Sequence, residues 1–199
     1  MDKISDKKYD SEKHHRRSIR LKEYDYSRAG AYFVTICAHK GKSIFGKILY
    51  EKISLSKFGR IVRSTWLDLP KHYPHIRMDM FAIMPNHFRG IIFIVGAGFK
   101  PAPTKYPLSE IIRGFKTFSS RRINEMRHKP GIPIWQRNYY EHVVRNENEL
   151  NLIREYILYN PLQWRHDREN PESVPDEIYN EQWGDFEKII SGKNAPSQG

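Results

Sequence analysis

The chain has 199 residues, of which 39% are hydrophobic and 13% aromatic. Its 34 Lys and Arg against 23 Asp and Glu give a net charge of +11 and a pI near 9.7, and its mean hydropathy is −0.72. That composition supports one domain with extensions, or at most two small ones, and it contains no apolar run near the roughly 20 residues that span a bilayer. A single cysteine excludes an internal disulfide and a multi-cysteine zinc site, and the cationic excess favours polyanionic partners.

Residues 1–28 are polar and charged, and read as a basic arm. "KHHRRSIRLK" (13–22) holds five cations, Arg16 and Arg17 among them, two histidines and no acid. It suits either a solvated tail or a DNA-contacting arm. The opening residues lack the apolar core of a signal peptide, so a cytoplasmic, nucleoid-associated protein without membrane attachment is expected.

From Gly30 the pattern is globular. "AYFVTICAH" is β-branched and aromatic and reads as a strand, with Cys37 as a buried small hydrophobe. "GKILYEKISL" reads as a short strand or hairpin. Phe58, Ile61, Val62, Thr65, Trp66 and Leu69 recur at helical spacing after a capping Ser56, and Pro70 is expected to close that helix. "HIRMDMFAIMPNHFRGIIFIV" reads as two strands meeting near Pro85-Asn86. On the second strand His87 and Arg89 share a face and Phe88 takes the other, because successive side chains alternate.

Residues 96–107 carry Gly and Pro every few positions and read as a loop. Ser109 is expected to open a helix to about Arg127, with Ile111, Ile112, Phe115, Phe118 and Ile123 inward. Residues 100–129 hold eight Lys/Arg and two acids, a net +6. Lys105 on the loop and Arg113, Lys116, Arg121 and Arg122 on the helix are therefore candidate phosphate contacts. "PIWQRNYYEHVV" reads as a strand. Trp135, Tyr139, Tyr140 and Tyr106 could stack on bases, although core packing is the favoured reading for most of these aromatics. Asn146 to Glu149 has the form of a capping box, and "NELNLIREYILYN" reads as a helix ending before Pro161. Residues 167–187 carry eight acids and one base.

The element order suits an α+β fold: a ferredoxin-like antiparallel sheet with helices packed on one face. The expected organisation is an arm (1–28), a catalytic domain (29–165) and an acidic extension (166–199).

In the last helix Tyr156 and Asn160 are four residues apart and share a face. A tyrosine can attack phosphorus, an Asn carbonyl suits magnesium or manganese, and a histidine can share that site. Core packing for Tyr156 and helix capping for Asn160 are the alternatives. Together, "RLKEYDYSRAGAYFVTICA", "AIMPNHFRGIIF" and "WQRNYYEHVVRNENELNLIREYILYNP" resemble the single-tyrosine HUH transposases, most closely their REP-associated tyrosine transposase branch. The likeness spans roughly residues 20 to 165. It implies a ferredoxin-like catalytic domain that recognises single-stranded DNA hairpins, as monomer or homodimer. It also implies cleavage and rejoining through a 5′-phosphotyrosine intermediate. Carried over, the nucleophile falls on Tyr156 and two metal ligands on His87 and Asn160, with magnesium or manganese as cofactor. His142 falls in a matching segment, with a structural or DNA-facing role.

The family's second histidine falls on Arg89. A guanidinium offers donors only and cannot ligate a metal. Three consequences compete. The metal site loses a nitrogen and cutting falls. Alternatively, Arg89 contacts the scissile phosphate. Or it pairs with an acid such as Glu155 and does neither. Metal polarisation is worth several kcal/mol, so reduced or absent cleavage is favoured over normal cleavage. The alternative function is then a cleavage-deficient DNA hairpin or repeat-binding protein.

Overall fold

The computed structural model describes residues 25, 28–95, 106–184 and 186. Arg16, Arg17, Lys105 and most of the 96–107 loop lie outside the described residues. Six strands and three main helices follow one another: β1 (Gly30–Cys37), β2 (Gly46–Leu49), β3 (Lys52–Leu55), α1 (Lys57–His72), β4 (Ile76–Ile83), β5 (His87–Ile94), α2 (Leu108–Met126), β6 (Tyr140–Val144) and α3 (Glu147–Tyr159). Short helical turns, Glu177–Tyr179 and Asn180–Gly184, come after.

The main sheet is antiparallel throughout, in the order β4-β5-β1-β6. With α1 joining β1 to β4 and α2 joining β5 to β6, this is the ferredoxin-like arrangement expected from the pattern. The strand β1 is buried along almost its whole length because both faces of the sheet are covered. On one face Tyr32, Val34, Ile36, Phe88 and Ile92 pack against α1 and α2. On the other, Phe33 and Ile91 pack against Leu150, Ile153, Tyr156 and Ile157 of α3 and against Tyr179 and Trp183. The expectation of helices on one face therefore holds for α1 and α2 only. The helix α3 and the acidic C-terminal segment form a second layer, which is where the alternate residues His87 and Arg89 point.

Ser56 caps α1 through the Gly59 amide (3.1 Å). Pro70 does not close this helix. It sits in the last turn, and the chain stays helical to His72, with the Tyr73 amide bonded to Leu69 O at 2.9 Å. Near a helix end a proline removes only one bond of the ladder. The helix α2 starts one residue before Ser109, with Pro107 at its N-cap. The strand expected over 133–144 is shorter, because only Tyr140–Val144 pairs with β1 while Trp135 makes an isolated bridge to Ala38. Asn146 caps α3 as expected, accepting from the Glu149 amide at 2.9 Å. The Glu149 carboxylate reaches back to the Arg145 amide and to His142 instead of to Asn146.

Candidate functional site

At the start of β5, register with β1 sets Cys37 opposite His87 and Thr35 opposite Arg89. The alternation then points both β5 side chains toward α3. Tyr156 and Asn160 project from the C-terminal end of α3 toward the same place, so the structure brings together all four residues that the motifs single out. They are sealed from solvent: His87 is 0% exposed, Arg89 2%, Tyr156 1% and Asn160 1%.

The fifth member is Asp167, from the segment after α3, which is also fully buried. Arg89 grips its carboxylate with both terminal nitrogens, Nη1 to Oδ2 at 2.6 Å and Nη2 to Oδ1 at 3.3 Å. Asn160 Nδ2 donates to Oδ2 at 2.7 Å, and the Glu169 amide donates to Oδ1 at 2.8 Å. Burial alone would raise the Asp167 pKa. The Arg89 charge, aided by His87 and these hydrogen bonds, overrides it and holds the carboxyl at about 2. Arg89 therefore pairs with an acid, as one of the competing readings had it, but the acid is Asp167. Glu155 is exposed on α3.

The protonation of His87 can be worked out from its neighbour. Asn86 Nδ2 donates to Gly41 O and to Glu169 O. Its Oδ1, 2.9 Å from His87 Nδ1, must then accept, so the neutral ring carries its proton on Nδ1. That leaves Nε2 as a bare lone pair, buried and without a hydrogen-bond partner among the described residues, 3.8 Å from Asp167 Oδ2. Burial, and then the Arg89 charge, push the His87 pKa down to about 4, against the pull of Asp167, Glu169 and the adjacent Asn160 side chain. The ring is neutral near pH 7. Asn160 Oδ1 is likewise buried without a partner.

The donor chemistry can be tested against a divalent metal. Two orphaned acceptors, His87 Nε2 and Asn160 Oδ1, have the right character, and the Asn86 bond orients the imidazole as an outer-shell partner does. The Asp167 carboxylate beside them, however, already accepts four hydrogen bonds, two from a permanent cation, and the nearby Glu169 carboxylate takes Arg168 Nε and the Cys37 thiol. A doubly charged ion would have two neutral donors and a guanidinium beside it, in a dry pocket. These residues do not fit such an ion while Arg89 is present. Among the described residues, no group of three His, Cys, Asp or Glu side chains is placed to hold a metal.

Tyr156 lies beneath this cluster. Its ring takes the Arg89 guanidinium on one face, with Cζ 4.7 Å from the centroid. Trp183 and Phe186 close over it, at ring separations of 5.5 and 5.4 Å. A phosphate cannot reach this tyrosine unless the C-terminal segment moves.

The candidate DNA contacts on α2 are less available than their charge suggests. Arg113 pairs with Glu110, and Arg121 lies 3.5 Å from Glu125. Arg122 bridges to Thr65 and Asp68 on α1, both at 3.1 Å. Lys116 donates to the carbonyls of Gln136 and Arg137, and desolvation there lowers its pKa. Arg122 and Lys116 tie α2 to its surroundings, while the Arg113 and Arg121 pairs lie within the helix itself. Of the aromatic candidates, Trp135 is buried with its indole N–H on Ser119 Oγ, Tyr106 packs on Tyr73 and His75, and Arg168 lies over the Tyr140 ring. Tyr139 packs against the core under α1 and α2. His142 pairs with Glu149 at 2.8 Å.

Sequence reasoning missed Asp167 and Asn86. Asn86 stands in the quoted "MPNHFRG", where a turn explained it sufficiently. Asp167 is one of eight acids in its stretch, with no spacing to mark it. A cation replacing a ligand demanded a counter-charge, but nothing local said which acid would supply it.

No family model matches the chain. It is 37% identical over 178 residues to an uncharacterized protein of Haemophilus influenzae, across 81% of this chain and 96% of the relative. It is 26% identical over 171 residues to a second protein of that organism, named "Putative REP-associated tyrosine transposase", across 80% of this chain and 90% of the relative. In fold it is similar to a REP-associated tyrosine transposase solved bound to a REP hairpin, with a TM-score of 0.53, 18% identity and 73% of each chain covered.

Proposed function

The chain belongs to the single-tyrosine HUH transposase family, in its REP-associated tyrosine transposase branch, and on that premise we propose that it binds hairpin-forming single-stranded DNA without cutting it efficiently. The observation that carries this reading is the Arg89–Asp167 clamp. An internal cation takes the charge-neutralising place that the family's chemistry gives to a divalent metal, and it does so directly over the Tyr156 ring. A guanidinium can hold an oxyanion, but it presents one charge and fixed donors. It lacks the open coordination that polarises a phosphate and eases the departure of an alkoxide. His87 and Asn160 remain aimed into the site as relics of that chemistry, and Tyr156 is packed as a core residue. Cleavage through Tyr156 is the second reading, favoured by the convergence of His87, Asn160 and Tyr156 alone.

The two readings separate in one assay. Labelled DNA hairpins with single-stranded flanks, including any inverted repeats found beside the gene, are incubated with the protein in EDTA, magnesium or manganese. Binding should be equal in all three, and denaturing gels should show no protein–DNA adduct. A metal-dependent adduct that Tyr156→Phe abolishes would overturn the proposal in favour of an active nuclease.

A further inference from the structure

The basic helix α2 drew attention in the sequence, yet a second segment has the same net charge and a different fate. Residues 40–63 contain seven Lys/Arg and one acid, also a net +6. Every one of those seven cations is exposed, and none forms an ion pair with a described residue; Arg60 alone among them donates to a carbonyl, Leu55 O, at 2.9 Å. On α2, by contrast, Arg113, Arg121 and Arg122 are each paired with a carboxylate and Lys116 with carbonyls. Unpaired surface cations are the ones free to exchange their counterions for phosphates.

Their layout follows from the fold. The hairpin β2–β3 is its own two-stranded sheet, with Lys47 opposite Ser54 and Leu49 opposite Lys52. Cross-strand partners share a face. Lys47, Leu49, Lys52 and Ser54 are therefore the outward face, while Ile48 and Ile53 lie on the half-buried one. At the tip Tyr50 is 96% exposed. Tyr50 and Glu51 both sit in the left-handed region, at φ 49° and 60°, where Asn and Gly are at ease and larger residues are not. The Tyr50 side chain thus stands almost wholly in solvent, with no ring contact to another described residue. Just C-terminal to the hairpin, Lys57, Arg60 and Arg63 fall three apart on the exposed side of α1. N-terminal to it, Lys40 and Lys42 flank Gly41. Gly41 O accepts from the same Asn86 whose Oδ1 holds His87. The segment is also fixed to the body. The Ala38 amide bonds to Asn86 O (2.7 Å), and the Phe45 amide bonds to Pro85 O (3.0 Å). A Cβ on Gly59 would lie 2.0 Å from Phe45 O, so only glycine lets α1 pack this closely beneath the hairpin.

From this arrangement the geometry points to residues 40–63 as the DNA-docking surface, with the hairpin lysines on the phosphate backbone and the Tyr50 ring stacked on an unpaired base. The inference rests on the DNA-binding reading above and names the surface that performs it. Cations spaced along a ribbon suit a polyanion, and an exposed aromatic at its tip suits the π-face of any base. The path from ribbon to His87 runs through the Lys40–Lys42 turn, so DNA held here would lead toward the sealed cluster.

The test is fluorescence anisotropy with a labelled DNA hairpin carrying single-stranded flanks, in EDTA, across a salt series. Replacing Lys47 and Lys52 together by Ala should weaken binding about tenfold near 0.1 M salt and lower the slope of log K against log salt by about two. Tyr50→Ala should weaken it about tenfold with the slope unchanged, and Tyr50→Phe should stay within about twofold of native. Thermal melting checks that each variant keeps the native fold. If the native protein binds and these variants bind equally well, the surface assignment is overturned while the DNA-binding reading stands. If the native protein binds no hairpin, that underlying reading falls, and this one with it. An RNA hairpin held more tightly than its DNA counterpart overturns the choice of DNA as the occupant.

Discussion

Two groups of cations in this protein meet opposite fates. Arg89 is sealed among His87, Asn160, Tyr156 and Asp167, its charge matched by a carboxylate that has no other exit. The lysines and arginines of residues 40–63 stand in solvent with no counter-charge among the described residues. The difference shows what each charge can do. A buried ion pair is committed: each partner has lost its hydration and depends on the other. An exposed unpaired cation contributes little to stability and keeps its capacity to bind. Charge alone therefore does not locate function in a basic protein, and the location of the neutralising acid does.

The largest expected effect comes from breaking the sealed pair. Asp167→Ala leaves the Arg89 guanidinium buried and uncompensated and should lower unfolding stability by about 3–5 kcal/mol, read by urea denaturation. Charge swaps anywhere in 40–63 should change the same stability by less than about 0.5 kcal/mol. An Asp167→Ala protein as stable as the native one would show that Arg89 turns to solvent easily, and the contrast between the two groups would dissolve.

The sealed site should also carry a pH signature that the open surface lacks. His87 is held near 4 in the folded protein and titrates near 6.5 when unfolded. Between those values the unfolded state binds the extra proton, so stability falls as pH drops from about 6.5 to 4, by about 3 kcal/mol at most. Asp167, held near 2 against an ordinary 3.8, adds a further loss only as pH falls from about 4 toward 2. His87→Gln should flatten the first segment and leave the second. Stability that is flat from pH 7 to 4.5 in the native protein would mean that the ring is not buried neutral.

Replacing the internal cation should let an external one in. Arg89→His keeps the Asp167 carboxylate, frees it from the guanidinium, and adds a second imidazole beside the lone pair of His87 Nε2 and Asn160 Oδ1. Manganese at one hundred times its Kd should then stabilise the variant by about 2.7 kcal/mol, seen as a raised melting temperature. The native protein should show no such response. Metal stabilisation of the native protein would place an ion beside Arg89 and contradict the assignment of that residue as the site's resident cation.

Much of this architecture was legible in the sequence, and the gaps have physical reasons. The alternation that put His87 and Arg89 on one face, the hairpin at 46–55 and the cap at Asn146 all rest on local periodicity or local hydrogen bonding. The second helical layer was not legible. An amphipathic stripe says that α3 buries one face but not which side of the sheet receives it. Asp167 was hidden for a similar reason: its partner is 78 positions away, and its neighbours made it look like one acid in a solvated run. The basic segment 100–129 was visible as composition, but its i, i+3 and i, i+4 pairing with Glu110 and Glu125 neutralises part of what composition counts.

The last contrast is between the two basic segments themselves. Arg122 reaches from α2 to Asp68 on α1, and the pair lowers the Asp68 pKa second only to Lys71. Both partners are partly exposed, so solvent screens the interaction and its share of stability is small. Arg122→Ala should lower unfolding stability only slightly and leave hairpin DNA affinity within about twofold of native. The lysine pair at 47 and 52 should show the reverse: no measurable change in stability and a clear loss of binding. The sign of that crossover tests the comparison more sharply than either size. If Arg122→Ala weakened binding as much as the loss of Lys47 and Lys52, then pairing with an acid does not withdraw a cation from DNA, and α2 would return as a docking face.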